Sequence, residues 1–83
     1  MEDLVRAIVE PMISNKEALM IKTMPSAEDN EVSEIIIITN KEDTARLIGK
    51  SGVVANAIRE VVSVKSRLDG IKVRVKFESY DEQ

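Results

Sequence analysis

The apolar residues of this 83-residue chain recur at spacings that predict helices and strands in alternation. The first stripe has helical spacing and contains Leu4, Val5, Ile8, Val9, Met12 and Ile13. Because the ring of Pro11 clashes with the carbonyl group of Ala7, this helix is expected to kink or loosen after Glu10. Two strands are predicted next, at residues 18–24 and at Val32–Thr39, with a polar loop between them.

The second of these strands contains four consecutive isoleucines, at positions 35–38. Such a run predicts a strand that is buried on both faces or that lies at the centre of a sheet. One face of the first strand is expected to carry Leu19, Ile21 and Thr23.

Two helices are predicted in the middle of the chain. Asn40 is a candidate N-cap for a short helix that runs to Ile48. A longer helix begins after Gly52, and the turn Asp69-Gly70 ends it. The core stripe predicted for this helix contains Val54, Ala57, Ile58, Val61 and Leu68.

Apolar and basic residues alternate in the last strand, at positions 71–77. The element order is therefore α-β-β-α-α-β. The first two strands can pair as a hairpin, and the two helices before the third strand allow a parallel crossover. The predicted fold class is α+β, with a three-stranded mixed sheet and three helices on one face. Residues 1–78 are expected to form one domain, and residues 79–83 an acidic, frayed tail.

The composition excludes several classes of function. The chain contains no cysteine and no histidine, so it lacks thiolate ligands, the commonest zinc ligand and the commonest general base. No acidic residues form an evident catalytic pair. We therefore predict a protein that is not an enzyme and has no catalytic residues, metal, cofactor or small-molecule substrate.

The N-terminus and the apolar runs predict a cytoplasmic protein without a membrane partner. The chain opens with Met1-Glu2-Asp3, which is acidic where a signal peptide is basic. Its longest apolar run, residues 35–38, is far too short to span a bilayer.

The net charge of −3 is unevenly distributed along the chain. Residues 1–40 carry a net charge of −5, residues 41–77 of +5, and residues 78–83 of −3. The basic segment favours an anionic ligand, although a solvated surface of mixed charge would show the same totals.

The basic segment contains one compact motif, Ile48-Gly49-Lys50-Ser51-Gly52, between the two predicted helices. Glycines allow a close backbone approach, the amides at a helix N-terminus favour an anion, and Lys50 adds a positive charge. A phosphodiester is the ligand that this combination favours. The alternative is a plain turn between two helices.

With this motif in this element order, the sequence resembles the KhpA family of small, stand-alone bacterial type II KH-domain proteins. The resemblance covers nearly the whole chain and rests on residues 4–11, Glu42-Asp43, residues 47–52, Ala57-Ile58-Arg59 and the final basic-apolar strand. It implies a type II KH fold whose Gly-x-x-Gly loop clamps the backbone of single-stranded RNA. The implied role is that of a small RNA chaperone or post-transcriptional regulator.

The resemblance also implies the residues that contact RNA. Gly49 and Gly52 would shape the loop, and Lys50 and Ser51 would contact phosphate or sugar. One wall of the base-binding groove would consist of Ile48, Val53 and the following helix, including Asn56. Ile36 and Ile38 would form the other wall. Arg46 and Arg59 would reach the RNA backbone.

Two positions depart from the family pattern. Val53 and Asn56 stand where family members often carry basic or polar residues. Neither Phe77 nor Tyr80 is expected to stack on a base. We therefore predict modest, sequence-tolerant binding with a weak dependence on salt.

The same residues give weaker support to two other functions, nucleotide hydrolysis and DNA reading. A P-loop requires a glycine where this chain has Thr44, and a helix-turn-helix reader would offer only Asn56 to bases. The basic residues of the last strand, Lys72, Arg74 and Lys76, are interpreted as a solvated face away from the groove, with a secondary RNA contact as the alternative.

A protein-interaction module with little RNA binding is the second functional hypothesis. Val53, Val62 and Val64 lie outside the predicted core stripe of the long helix and are candidates for a partner surface. The family resemblance implies a homodimer, a heterodimer with a larger Jag/KhpB-type KH protein, or both. Pairing and RNA binding are compatible, since two linked weak sites gain avidity.

Overall fold

The computed structural model describes residues 1–28 and 31–80 and contains three helices and three strands. The elements are α1 (Glu2–Val9), β1 (Met20–Pro25), β2 (Val32–Thr39), α2 (Lys41–Ile48), α3 (Val53–Asp69) and β3 (Lys72–Ser79). Single 3-10 turns at Glu10–Met12 and Lys16–Ala18 connect α1 to β1. The predicted fold class and the order α-β-β-α-α-β are confirmed.

The helix ends follow from local sequence chemistry. The regular part of α1 stops at Val9, and Pro11 lies in the 3-10 turn that follows, as expected for a residue without an amide proton. The side chain of Asn40 caps α2 by accepting a hydrogen bond of 2.9 Å from the Asp43 amide. Gly70, with a φ of 71°, ends α3 in the left-handed conformation.

The strand β2 lies at the centre of the sheet, as its isoleucine run predicted. It pairs antiparallel with β1, where Met20 is opposite Ile38, and parallel with β3, where Val32 is opposite Lys72. The strand β3 is therefore an edge strand. The helices cover one face of this sheet, and the other face carries no helix in the described part of the chain.

The hydrophobic core fills the space between the helices and the covered face of the sheet. Its buried members are Val5, Val9, Ile13, Leu19, Ile21, Ile35, Ile37, Leu47, Ile58, Val62 and Val75. Every element except the single 3-10 turns contributes at least one residue to this set. Sequence-distant elements are thus held in one packed layer.

The core stripe predicted for α3 is wrong at three of its five positions. The helix buries Ala55, Ile58, Val62 and Ser66 instead. Ala57 is exposed, and Val61 and Leu68 are 48% and 79% exposed. Alanine and serine face the sheet because their small side chains let the helix lie close to it, and the Ser66 hydroxyl is satisfied by the Ser63 carbonyl at 3.0 Å. Val62, expected outside the core, is 1% exposed.

Asp43 ties the start of α2 to the N-terminal segment. Its carboxylate is fully buried and accepts hydrogen bonds of 2.9 Å from the backbone amides of Ser14 and Asn15. Arg46 donates a third bond of 2.8 Å. The Ser14 amide is the largest influence that lowers the pKa of this carboxyl, and it outweighs the opposing effect of burial.

The C-terminal end of the described chain continues the sheet. Of the acidic tail predicted at residues 79–83, Ser79 lies in β3 and the Tyr80 amide donates to the Thr39 carbonyl at 3.1 Å. Residues 81–83 lie outside the described residues. No helix within residues 1–28 and 31–80 is both long enough and apolar enough to cross a bilayer.

Candidate nucleic-acid interface

The loop between α2 and α3 has an unusual backbone. Gly49 has a φ of 75° with a ψ of 176°, Ser51 has a φ of 56°, and Gly52 has a φ of 79°. Positive φ is rare for residues with a side chain, and the combination at Gly49 is essentially restricted to glycine. A bond of 3.2 Å from the Gly52 amide to the Gly49 carbonyl closes the loop.

The two glycines of the loop face different steric demands. A Cβ atom at Gly49 would lie 2.5 Å from Cγ2 of Val54 and 3.0 Å from its backbone nitrogen, well inside contact distance. A Cβ atom at Gly52 would meet no atom within 4 Å. Position 49 therefore requires glycine for both space and backbone conformation, whereas position 52 requires it for conformation alone.

The tip of the loop presents an exposed cation beside an open helix N-terminus. Lys50 and Ser51 are both exposed. The N-cap of α3 is Gly52, which offers no side-chain cap, and the first turn of this fully described helix contains no acid. The positive end of the helix dipole is thus left for an external anion.

A row of polar residues leads from the loop along α3. Asn56, Arg59 and Ser63 are spaced by three and four residues, so they lie on one side of the helix. Arg59 and Ser63 of this row border a groove of about 380 Å³ between α3 and the edge strand β3. The groove is lined by Arg59, Val62, Ser63, Val73, Arg74, Val75 and Lys76.

Arg59 bridges this groove at the level of the edge strand. Its Nε donates a hydrogen bond of 3.2 Å to the Val75 carbonyl, and its guanidinium carbon lies 5.3 Å from the ring centroid of Phe77. The guanidinium therefore occupies a backbone acceptor of β3 and covers the aromatic face. Of the arginines predicted to reach RNA, this one lies at the groove.

Arg46 does not have the freedom that the predicted role requires. Its guanidinium donates to the Asp43 carboxylate at 2.8 Å, to Glu42 at 3.3 Å, and to the Ser14 hydroxyl. Two carboxylates thus neutralise it, and it holds α2 against the N-terminal segment.

The groove wall expected from β2 is also placed elsewhere. Ile35 and Ile37 face the helices, so the alternating side chains of Ile36 and Ile38 project from the opposite face of the sheet. They lie opposite Lys22 and Met20 of β1 rather than beside α3. The second wall of the groove is β3, because β3 is the strand at the edge next to α3.

The predicted RNA contacts do not include the groove residues of β3. The basic residues of this strand lie on the face predicted for them, because Lys76 is in register with Ile36 and Arg74 with Glu34, on the side of the sheet opposite the helices. Arg74 and Lys76 line the groove, although their charges are partly engaged by Glu28 at 3.2 Å and Glu34 at 3.4 Å. The sequence does contain information on the position of β3. Once the first two strands pair as a hairpin, a third strand that pairs parallel to the second must lie at the edge of the sheet.

Replacing Arg59 with methionine is expected to lower the free energy of unfolding by about 1.5 kcal/mol, because a hydrogen bond and a cation–π contact are lost. Lysine at this position should recover part of the loss through the cation–π contact. Urea denaturation measures both. Arg74→Met, which removes only a surface ion pair, is the control and should cost less than about 0.5 kcal/mol. Equal losses at the two positions would contradict the bridging role of Arg59.

A family model for the KH domain of KhpA and KhpB matches residues 2–77 of the chain. The chain belongs to the KhpA/KhpB KH-domain family. Relatives named RNA-binding protein KhpA occur in Listeria monocytogenes and Listeria innocua. Each is 33% identical to this KhpA/KhpB-family chain over 75 residues, which is 90% of this chain and 95% of the relative.

Two solved structures share the fold at low sequence identity. An Aquifex aeolicus Era variant bound to GDP and aluminium fluoride aligns with a TM-score of 0.57 and 19% identity, over 93% of this chain and 29% of Era. Era in complex with a GTP analogue and a segment of 16S ribosomal RNA aligns with a TM-score of 0.56 and 18% identity, over 93% of this chain and 28% of Era. The KhpA/KhpB-type chain thus corresponds to less than a third of Era, and this likeness concerns the fold alone.

Proposed function

We propose that this protein binds single-stranded RNA, with the backbone held at Gly49–Gly52 and the bases placed in the groove between α3 and β3. The observation that carries the proposal is the exposed Lys50-Ser51 tip at the open N-terminus of α3, from which a polar row leads directly to an apolar groove. Phosphate groups suit the tip, and a base suits the groove, in which Val73 is the partly exposed valine.

The groove favours modest affinity with little base preference. Its apolar lining consists of the partly buried Val73 and of Val62 and Val75, which are only 1% and 6% exposed. The groove offers no aromatic platform, because the ring of Phe77 is covered by Arg59. Few cations remain unpaired near the loop. The number of phosphate contacts, and hence the salt dependence of binding, should therefore be small.

Replacing Lys50 and Ser51 with aspartate is expected to weaken binding of a single-stranded RNA oligonucleotide at least tenfold. The carboxylates would repel the RNA backbone where the cation and the helix N-terminus attract it. Folding should be retained, because both side chains are exposed, aspartate tolerates the positive φ of Ser51, and acids are favourable near a helix N-terminus. Fluorescence anisotropy at fixed salt measures the affinity.

A matched control carries the same change of net charge away from the Gly49–Gly52 loop, on β1 and on the segment that follows it. The variant Lys22→Glu with Ala27→Asp alters two exposed positions and should bind RNA nearly as well as the unchanged protein. If both double variants lose affinity equally, net charge rather than the loop controls binding. Unchanged affinity in the loop variant would support the second hypothesis, a protein-interaction module with little RNA binding.

We also propose that the protein works as a homodimer or with a larger KhpB-type partner, as a small RNA chaperone or regulator in the cytoplasm. A single groove of modest affinity favours this arrangement, because pairing two sites raises the affinity for an RNA that reaches both. Size-exclusion chromatography with light scattering, with and without RNA, tests the assembly.

A further inference from the structure

We propose that an RNA strand longer than the groove continues into a second, cationic contact at the end of the groove that lies away from the loop. This exit site consists of Arg67 in the last turn of α3 and of Lys72 and Arg74 in the first half of β3. The inference rests on the RNA binding proposed above and extends it to the nucleotides beyond the loop and the groove.

The groove leads from the loop toward the turn between α3 and β3. The helix and the strand run in opposite directions, because the chain reverses at Gly70 and Arg59 bonds to Val75 across the groove. The loop lies at the start of α3, so the other end of the groove lies beside its last turn. A strand held at Gly49–Gly52 that follows the groove therefore leaves it between the end of α3 and the start of β3.

Arg67 continues the polar row of α3 to this exit. It follows Ser63 by four residues, which places both side chains on the same side of the helix. Arg67 is exposed, and within residues 1–28 and 31–80 it forms no ion pair. Asp69 lies on the other side of the helix, where it pairs with Lys65 at 3.1 Å. The guanidinium of Arg67 is thus available to a ligand that leaves the groove.

Lys72 and Arg74 supply the strand side of the exit. They alternate with Val73, which packs against the core, so their side chains project from the sheet face that carries no helix in the described chain. Because β3 is the edge strand, the groove and that face meet at its backbone, and Arg74 itself borders the groove. Two residues along a strand span about 6.8 Å, a separation that suits neighbouring phosphates of an extended RNA strand.

The state of these cations favours an anionic ligand. Lys72 is exposed and, like Arg67, forms no ion pair in the described part of the chain. Arg74 pairs with Glu28 at 3.2 Å, but the two side chains are 54% and 81% exposed. An ion pair so open to water contributes little to stability, so a phosphate can take the place of Glu28. Glu28 is therefore a competitor of RNA for Arg74.

Two further acids limit the strength of the exit. Glu31 immediately precedes Val32, the residue of β2 that is paired with Lys72. Glu60 is two helical turns before Arg67, about 10 Å along the axis of α3. With these acids and Glu28 close to three cations, the exit is expected to raise the affinity for RNA only severalfold.

Such a balanced site favours a continuing RNA strand over a free anion or an acidic peptide. A separate ligand would gain little from it. The next phosphates of an RNA strand already bound in the groove are held beside Arg67 and Lys72 at a high effective concentration, so even a weak contact adds to the affinity.

Probes of two lengths test the exit. A single-stranded RNA of about four nucleotides fills the loop and the groove, whereas one of about ten nucleotides extends beyond them. Replacing both Arg67 and Lys72 with glutamine is expected to weaken binding of the long probe at least threefold and to leave the short probe unchanged. The salt dependence of the long probe should also fall by about one or two phosphate contacts. Fluorescence anisotropy measures both effects. The short probe is the appropriate one for the loop variant and its charge control, because it does not reach the exit.

The matched control is Lys16→Gln with Lys22→Gln, which makes the same change of net charge at two exposed positions away from the exit. It should bind both probes as the unchanged protein does, and circular dichroism checks that both double variants fold. Equal losses for the long probe in the two double variants would overturn the exit, since net charge would then explain the effect. Failure of the unchanged protein to bind either probe would overturn the RNA site and the exit together. Tight binding of both probes without any effect of the exit variant would overturn the exit alone.

Glu28→Gln gives a test of opposite sign. Because it frees Arg74, we expect the long probe to bind about twofold more tightly and the short probe to be unaffected. An equal gain for both probes would contradict a local competition at Arg74. Displacement of the long probe by an acidic peptide as effectively as by unlabelled RNA would assign the exit to a protein ligand and overturn the proposal.

Discussion

Asp43→Ala is expected to lower the free energy of unfolding by about 3 kcal/mol. The substitution leaves the amides of Ser14 and Asn15 without the buried carboxylate that accepts from them, and it removes a hydrogen bond of 2.8 Å from Arg46. A domain of this size has a total stability of about 5–10 kcal/mol, so the loss is a large fraction of it. Urea denaturation followed by circular dichroism measures the change. Asp3→Ala, at an exposed position of α1, is the control and should be nearly neutral.

The same carboxylate gives the stability a defined pH dependence. The pKa of Asp43 is lowered in the folded state from its ordinary value of 3.8, chiefly by the Ser14 amide. Its contribution is therefore complete above about pH 4 and is lost as the pH falls through the depressed folded-state pKa. Asp43→Asn keeps the shape but not the charge, so its stability should decline less steeply below pH 4. Parallel declines in both proteins would contradict this assignment.

Gly49→Ala is expected to lower the free energy of unfolding by about 3 kcal/mol and to abolish measurable RNA binding. A methyl group at this position would lie 2.5 Å from Val54 Cγ2, on a backbone that only glycine adopts readily. The loop or the start of α3 must shift to relieve the contact, which displaces the tip that holds the RNA backbone. Thermal unfolding and RNA titration measure the two effects.

Gly52→Ala separates the effect of an unfavourable backbone conformation from the effect of steric crowding. Its methyl group would meet no atom within 4 Å, so only the positive φ of 79° opposes it. We expect a loss of about 1 kcal/mol and a smaller loss of affinity than at Gly49. Equal effects at the two glycines would mean that crowding against Val54 contributes nothing.

Local sequence chemistry predicted most of the fold. Pro11 marks the end of the regular part of α1, the side chain of Asn40 caps the start of α2, and Gly70 ends α3. The isoleucine run placed Val32–Thr39 at the centre of the sheet. Each of these features depends on residues that are close together in the chain, so a single sequence contains the information.

The features that the sequence did not predict depend on contacts between distant segments. The helix α3 carries two apolar stripes, and spacing alone does not tell which one faces the sheet. Asp43 accepts a hydrogen bond from Ser14, which is 29 residues away in the sequence. Without that contact, Asp43 looks like an ordinary acidic residue at the start of a helix. The groove wall lies on β3 and not at Ile36 and Ile38, because the order of the strands brings β3 rather than β2 beside α3.

The position of β3 at the edge of the sheet also bears on solubility. An edge strand presents unpaired backbone groups that invite another strand to add to it. In this protein Lys72, Arg74 and Lys76 project from that edge, and Arg59 occupies the Val75 carbonyl. Charges on an edge strand oppose such addition. The cations of β3 and Arg59 therefore also protect the chain against aggregation, and neutralising all of them at once would expose an edge able to recruit further copies.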